Sequence, residues 1–365
     1  MKIIHCADIH LDSAMTTHFD LETARKRRGE ILRTFERMVA YAAHEGVSAI
    51  LIAGDMFDTP NTCELTRNTV MHCITSNPGI AFFYLKGNHD DNSFFDELES
   101  LGKKPGNLML FEEKWGCYEC GEVAIYGAQL PDECDDFYNA LHPDADKINI
   151  VMLHGQIGEH VDSTEHGIDL NKLRNRHIDY LALGHIHAAD SGRLDDRGTY
   201  CYPGCLEGRG FDECGEHGFM LLDIDEESRI ITRTFVPFAG RTIYSVMADV
   251  TGCTTTHEMI MTAAEALTEA GCNDHAIVRL VLIGELDAEC EKDISYISAS
   301  FAQKYYYFKT VDETHLRINI EDYLLDQSLK GEFIRTVFGE STLSDEDKAT
   351  IVRYGLQALA GEEAD

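Results

Sequence analysis

The chain has 365 residues, 44% of them hydrophobic, and carries 64 acidic against 31 basic side chains, a formal net charge of −33 at pH 7. That length and apolar content suit one large domain or two smaller ones, and no apolar run approaches the ~20 residues of a membrane span. The charge excludes a chain that grips nucleic acid through its overall charge, because such proteins draw affinity from basic contacts to phosphate.

Lys2–Ala7 reads as an N-terminal strand, with Asp8 and His10 just past it. Residues two apart on extended backbone point to one side, so both side chains are expected to reach one site. A helix is predicted over Leu21–His44, bearing Arg25-Lys26-Arg27-Arg28 with Arg33 and Arg37. The cluster reads as a solvated helix face with acids nearby, or else as a contact to a DNA backbone or a partner. Ser48–Ala53 is an apolar strand closed by Gly54 and followed by Asp55 and Asp58. Ile80–Lys86 ends at Gly87, before Asn88, His89 and Asp90, and Ile148–Leu153 ends at His154. Tyr180–Leu183 ends at Gly184, after which His185 and His187 again alternate. Each of these candidates thus lies just past an apolar strand, where ligand sites of α/β sheets form. The glycines at 54, 87 and 184 are expected to permit the tight turns that bring the loops together.

Downstream of Pro237 the organisation changes. Strands are predicted over Thr242–Val250, Ala276–Ile283, Tyr305–Lys309 and His315–Ile320, with helices over Thr256–Ala270 and Ile294–Lys304. The last segment reads as two helices: Leu324, Leu325, Leu329, Phe333, Ile334 and Val337 recur at helical spacing, then Ile351, Val352, Leu356 and Leu359. The expected division is 1–238, the domain bearing the strand-end candidates, 239–320, a small α/β domain, and 321–365, a helical pair. Met1-Lys2-Ile3-Ile4 runs straight into the first strand without a leader pattern, so a cytoplasmic location is expected. The twelve cysteines then read as reduced thiols. Cys117-x-x-Cys120 and Cys201-x-x-x-Cys205, even with Cys134 and Cys214, lack the paired spacing of a structural zinc site.

The residue types at the strand ends explain one another. Asp8, His10, Asp55, Asn88, His154, His185 and His187 are seven oxygen and nitrogen donors able to hold two divalent metals, with His89 left over. Two such ions bring four positive charges, and the two aspartates return only two negative ones. The remaining donors are a neutral amide and neutral imidazoles, so the loaded site stays positive and can hold a phosphodiester. Donors of this mixture, without cysteine, suit Mn first, with Fe or Zn as further candidates.

Asp8-Ile9-His10, Gly54-Asp55-Met56-Phe57-Asp58, Gly87-Asn88-His89-Asp90, His154-Gly155 and Gly184-His185-Ile186-His187 together resemble the motif set of the calcineurin-like metallophosphoesterases over most of residues 1–240. Thr59 and Pro60 after Asp58, and Tyr202-Pro203-Gly204, resemble the SbcD-type DNA repair exonuclease branch. The run Glu207–Glu213 is similar to that of its firmicute relatives. The resemblance implies an α/β fold, a four-layer sandwich of two mixed sheets flanked by helices, with a small α/β capping domain over the site and a C-terminal helical pair. It implies that Asp8, His10, Asp55 and His187 hold one ion, that Asp55, Asn88, His154 and His185 hold the other, and that a metal-bridging hydroxide attacks the phosphodiester. His89 would assist the leaving oxygen as the catalytic residue, with Asp90 orienting it. Asp58 would act in a supporting place where some relatives carry a histidine. The implied partners are an SMC-like coiled-coil ATPase, DNA ends and a second copy of the chain as homodimer. The terminal helices would either dock on that ATPase or pack on the capping domain. Two other functions fit the same motifs: a stand-alone small-molecule phosphodiesterase or phosphatase, which the acidity favours, and a non-catalytic clamp for the ATPase.

Overall fold

Strands apolar on both faces must be covered on both faces, and this requirement organises the N-terminal part of the computed structural model. The structure describes residues 1–58, 62–90, 94–131, 136–158, 167–287, 290–317, 323 and 325–360. Thr59, Pro60, Cys134, Ile318–Ile320 and Leu324, named above, lie outside the described residues. The chain divides into two units, Met1–Thr242 and Ile243–Asp365.

The first unit begins with β1 (Lys2–Cys6), α1 (Leu21–His44), β2 (Ala49–Ala53), α2 (Glu64–Thr75), β3 (Ala81–Leu85), α3 (Phe94–Ser100) and β4 (Leu108–Phe111). It continues with β5 (Gly116–Cys120), β6 (Val123–Gly127), β7 (Ile148–His154), β8 (Gln156–Gly158), β9 (Gly167–Asp169), α4 (Leu170–Leu173) and β10 (Tyr180–Gly184). It closes with β11 (Asp190–Arg193), β12 (Thr199–Tyr202), β13 (Gly218–Asp225) and β14 (Ile230–Pro237). One mixed sheet has the order β14-β13-β1-β2-β3-β4, and the second β11-β12-β10-β7-β6-β5. In both, the central strands run parallel and the outermost pairing on at least one side is antiparallel.

The sheets face each other across one core. Ile3, Leu51, Ala53, Phe83 and Leu85 of the first meet Ile125, Ile150, Met152, Tyr180 and Ala182 of the second. Each large aliphatic or aromatic side chain so buried contributes about 1.5–3 kcal/mol. The outer face of the second sheet is covered differently from expectation. Val151, Leu153, Leu181 and Leu183 pack under Tyr138, Leu141, Ile168, Leu170 and Leu173. The cover is thus the four-residue α4 and its flanking segments, in place of long helices.

Helix α1 spans the predicted residues. Asp20 caps it, accepting from the Glu22 and Thr23 amides at 3.0 and 2.9 Å, and Ala24, Ile31, Phe35, Met38 and Ala42 form its buried stripe. Arg25, Lys26, Arg33 and Arg37 are exposed, as a solvated face requires. Arg28 is half-buried, and Arg27 is fully buried, at 0% exposure. It falls on the buried stripe, where its guanidinium donates to Glu30 at 2.5 Å, Glu207 at 3.0 Å and the Gly208 carbonyl at 2.9 Å.

In the second unit, β15 (Ile243–Asp249), β16 (Ile277–Asp287) and β17 (Tyr307–Arg317) form a parallel sheet in that order, with α5 (Thr256–Glu269) and α6 (Ile294–Ala302) in the crossovers. The two short strands predicted over Tyr305–Lys309 and His315–Ile320 are one strand. The polar Thr310, Asp312, Glu313 and Thr314 lie between them, but β17 is an edge strand and tolerates polar side chains while pairing with β16 from Tyr307 to Arg317. Helices α7 (Leu329–Gly339) and α8 (Asp345–Ala360) follow, packed through Ile334, Val337 and Val352. Leu325 and Leu329, expected on the apolar face, are 92% and 68% exposed.

Arg27→Ala leaves Glu207 buried without its countercharge and should destabilise the protein by about 3–5 kcal/mol. Arg25→Ala, on the exposed face, should stay within about 0.5 kcal/mol. Denaturant midpoints compare the two, and equal shifts would show that Arg27 is no anchor.

Candidate metal centre

Register brings the strand ends level. Cys6 pairs with Ile52, Ala53 with Leu85, and Gly184 with His154. The loops beyond continue the pairing, with the Asp8 amide donating to the Gly54 carbonyl at 3.1 Å and the His10 amide to that of Asp55 at 3.0 Å. The two sheets nearly touch here: a Cβ on Gly184 would stand 1.8 Å from the Ala53 carbonyl oxygen. This close approach sets Asp8 and Asp55 of one sheet beside His154, His185 and His187 of the other.

The backbone at these residues is not extended. Asp8, His10 and Asp55 have φ near +50°, and His185 has φ 99°. Asp8 and His10 therefore converge through left-handed turns, not through strand alternation, and His185 likewise breaks the expected pleat before His187. Non-glycine residues in this region cost of order 1–3 kcal/mol each and are held by their surroundings. Of the three glycines, only Gly54 uses a positive φ, +94°. Gly87 and Gly184 are needed for space, since a Cβ on Gly87 would meet Asp55 Oδ1 at 2.1 Å.

All seven expected donors converge. Candidate ligand atoms of Asp8, His10 and His187 lie within 4.8 Å of one another, as do those of Asp8, Asp55 and His154. His10 Nε2 and His187 Nε2 are 3.2 Å apart. Asp55 Oδ2 stands between the two groups, 3.8 Å from His10 Nε2 and 3.5 Å from His154 Nε2. Asn88 Oδ1 is 2.9 Å from His154 Nε2 and 3.2 Å from His185 Nδ1. His154 Nδ1 lies 2.9 Å from the Ala53 carbonyl oxygen, which only accepts, so Nδ1 carries a hydrogen, and Nε2, facing the acceptor oxygens of Asp55 and Asn88, donates to them in the metal-free site and is the nitrogen a cation would take. No cysteine joins such a cluster among the described residues. Cys205 instead lies buried with its sulfur 3.2 Å from His217 Nδ1.

The electrostatics show a centre short of positive charge. Burial pushes the Asp8 carboxyl up to about 7, against the pull of His154 and His187. Burial would also raise Asp55, but its bond with His154 and the charges of His154 and His10 hold it below the usual carboxylate range. His154 is raised to about 9: burial opposes its charge, and Asp55 and Asp8 together outweigh burial. Two aspartates, an amide oxygen and inward-facing imidazole nitrogens are donors that divalent ions satisfy, and the set fits a dimetal centre.

The remaining site residues are placed as follows. His89 is exposed at the centre, its ring 5.1 Å from that of His10 and its amide donating to Asp55 Oδ1 at 2.9 Å. Asp90 does not orient it. Its buried carboxylate accepts the amides of Phe57 at 2.9 Å, Gly87 at 3.1 Å and Met56 at 3.2 Å. Burial, then Asp55, raises it to about 6. Asp90 thus ties the Asp55 loop to the Asn88 loop, a job no side-chain motif announces because its partners are main-chain amides. Asp58 Oδ1 lies 2.9 Å from His10 Nδ1, its carboxylate grouping within 4.8 Å with ring nitrogens of His10 and His89, and Arg209 Nη1 reaches it at 3.2 Å. Arg209 and Glu213 border the site although no separate motif marks them; their signal was the charged run Glu207–Glu213.

The model of the calcineurin-like phosphoesterases matches residues 1–189. The chain belongs to the calcineurin-like phosphoesterase family. This phosphoesterase is 27% identical over 280 residues to the DNA double-strand break repair protein Mre11 of Aeropyrum pernix, covering 68% of this chain and 64% of that one. It is 27% identical over 247 residues to the uncharacterized metallophosphoesterase YhaO of Bacillus subtilis, covering 61% and 57%. The chain thus spans less than two-thirds of the length of these relatives. Among solved structures, TT1561 of Thermus thermophilus is similar at a TM-score of 0.43 and 14% identity, over 64% of this chain and 98% of that one, a likeness too low to bear on function. No helix among the described residues is long and apolar enough to cross a membrane.

Chelator-stripped protein should bind two Mn2+ and melt at a higher temperature once loaded, each site adding about 2.7 kcal/mol at a hundredfold excess over its dissociation constant. Asp55→Ala should lose both the binding and the rise. Calorimetric titration with thermal melts checks this, and undiminished binding of two ions by the variant would remove Asp55 from the shared position.

Proposed function

We propose that this chain is a Mn-dependent nuclease that hydrolyses phosphodiesters at DNA ends, working as the nuclease subunit of an SbcCD-type repair complex with an SMC-like coiled-coil ATPase. The observation that carries the reading is the convergence of seven donors from two sheets with only two carboxylates among them. Asp8, His10, Asp55 and His187 would hold one ion, and Asp55, Asn88, His154 and His185 the other. Bound there, the ions supply the positive charge that acidifies a water and stabilises charge developing on the phosphate. Relatives named as DNA double-strand break repair proteins support the substrate class.

The chain's own residues then do three things. The neutral amide and imidazoles leave the loaded centre positive, so the phosphodiester is drawn in and not repelled. Asp90 and the strained turns at Asp8, His10 and Asp55 fix the donors before substrate arrives, which avoids reorganisation during the reaction. His89, exposed beside the donors, passes a proton to the leaving oxygen, a contribution of about 10²–10⁴-fold. Leu329 at the start of α7 and Leu325 just before that helix are exposed, which suits docking on the ATPase. In this reading, that partner supplies the basic grip on DNA which a chain of net charge −33 lacks.

The same acidity favours a second reading, hydrolysis of a small phosphodiester by the chain alone. End-labelled duplex and single-stranded DNA, offered with Mn2+ to chelator-stripped protein, separates them. Mn-dependent release of label, absent in Asp55→Ala, is expected. Intact DNA with turnover of bis(p-nitrophenyl) phosphate would instead establish the small-molecule reading. His89→Ala should keep both ions and lose about 10²–10⁴-fold in turnover, and unchanged turnover would end its proposed role.

A further inference from the structure

A histidine can offer a lone pair to a cation only from the ring nitrogen that carries no hydrogen, and the group facing the other nitrogen decides which that is. For His154 the decision rests with the Ala53 carbonyl. For His10 and His187 it rests with carboxylates outside the seven donors. Asp58 Oδ1 lies 2.9 Å from His10 Nδ1, an ion-pair contact in which the N–H is not aligned for a full hydrogen bond. Glu213 Oε1 accepts from His187 Nδ1 at 2.7 Å.

Arg209 joins the two carboxylates. Its Nη1 donates to Asp58 Oδ1 at 3.2 Å and its Nη2 to Glu213 Oε1 at 2.8 Å. Its own amide donates to Glu213 Oε2 at 2.6 Å. Arg209 Nη2 also comes within 3.1 Å of His187 Nδ1. Both atoms are drawn to Glu213 Oε1, and an ionised carboxylate only accepts, so the hydrogen belongs on His187 Nδ1. The result is a belt, His10–Asp58–Arg209–Glu213–His187, whose ends are the two Nε2 atoms, 3.2 Å apart and within hydrogen-bonding reach of each other. Both Nε2 atoms would be free to address one divalent ion held between them. The belt is itself anchored, because buried Arg27 holds Glu207 and the Gly208 carbonyl immediately before Arg209.

We infer that Glu213 and Asp58, tied by Arg209, are positioning residues that fix His10 and His187 with hydrogen on Nδ1, so that both Nε2 lone pairs address one ion and set its affinity separately from the other ion's. Arg209 has a second use: it cancels one of the two added negative charges, which keeps the loaded centre positive. The inference rests on the two-metal reading above and adds which of the two ions the belt governs.

The test uses the full chain, stripped with chelator and titrated with Mn2+ by calorimetry and electron paramagnetic resonance. Glu213→Gln and Asp58→Asn keep shape while removing the charge that fixes the ring hydrogen. In each, one of two ions should bind about 10–100-fold more weakly, while the other stays within about threefold. Asp212→Asn, an exposed carboxylate next to Glu213 in sequence, should change neither. Nitrogen-15 spectra of the metal-free imidazoles should show His187 with hydrogen on Nδ1 in the wild type, and a mixture in Glu213→Gln. Equal weakening of both ions together with a lowered melting temperature would mean general loosening and would overturn the inference, as would two unchanged affinities. Wild-type protein that binds fewer than two ions would instead overturn the two-metal reading, so the two failures are distinguishable.

Discussion

Two carboxylates, Asp8 and Asp55, are buried side by side where two β-sheets meet, and most of the surrounding structure answers to the charge they bring. Burial alone would force both to be neutral. The Asp8 carboxyl goes much of that way, pushed up to about 7, while Asp55 is held ionised by His154, His10 and the His89 amide. The His185 amide, 3.0 Å from both Asp8 oxygens, and the left-handed turns at Asp8, His10 and Asp55 show how tightly the chain is bent to keep the oxygens facing inward. Strain of that kind persists only where the framework over-determines it. Here the framework is the doubly apolar β2, paired on both sides and packed against β7 and β10.

The imidazoles around the carboxylates are useful only if each presents its lone pair inward. The fold achieves this from behind the rings. A main-chain carbonyl does it for His154, and carboxylates bridged by Arg209 face Nδ1 of His10 and His187. Asp90 plays the equivalent part for the main chain, gathering three amides from two loops. Charged groups that read as candidate chemistry in the sequence thus largely serve to hold other groups still, which is what a preorganised electrostatic site requires.

The basic cluster on α1 behaves in the same way. Four of its members face solvent, but Arg27 is turned into the core and bound to Glu30 and Glu207. Glu30 in turn receives Arg241, and Glu207 receives the Thr34 hydroxyl. A helix whose sequence advertises positive charge therefore anchors the segment carrying Arg209 and Glu213. The overall acidity of the chain is left uncompensated by it.

The sequence by itself determined the strand ends and the donors. An apolar run followed by Gly, Asp, Asn or His is a local pattern, and β1, β2, β3, β7 and β10 end within one residue of where that pattern predicts, as α1 spans its predicted Leu21–His44. It also determined the family, because the spacing within each motif reflects local backbone geometry. Only the tertiary structure decided how the side chains are aimed. The convergence of Asp8 with His10 comes from positive φ angles that Asp and His do not announce, and Arg27 is buried because helical phase places it on the inner stripe. Beside the local Arg209–Glu213 and Gly87–Asp90 contacts, Asp90, Asp58, Arg209 and Glu213 take their roles from partners that lie 22 to 151 positions away. The merging of two predicted strands into β17 has the same origin, since the pairing that extends it comes from β16. Local spacing encodes which groups are available, and long-range packing decides which way each one faces.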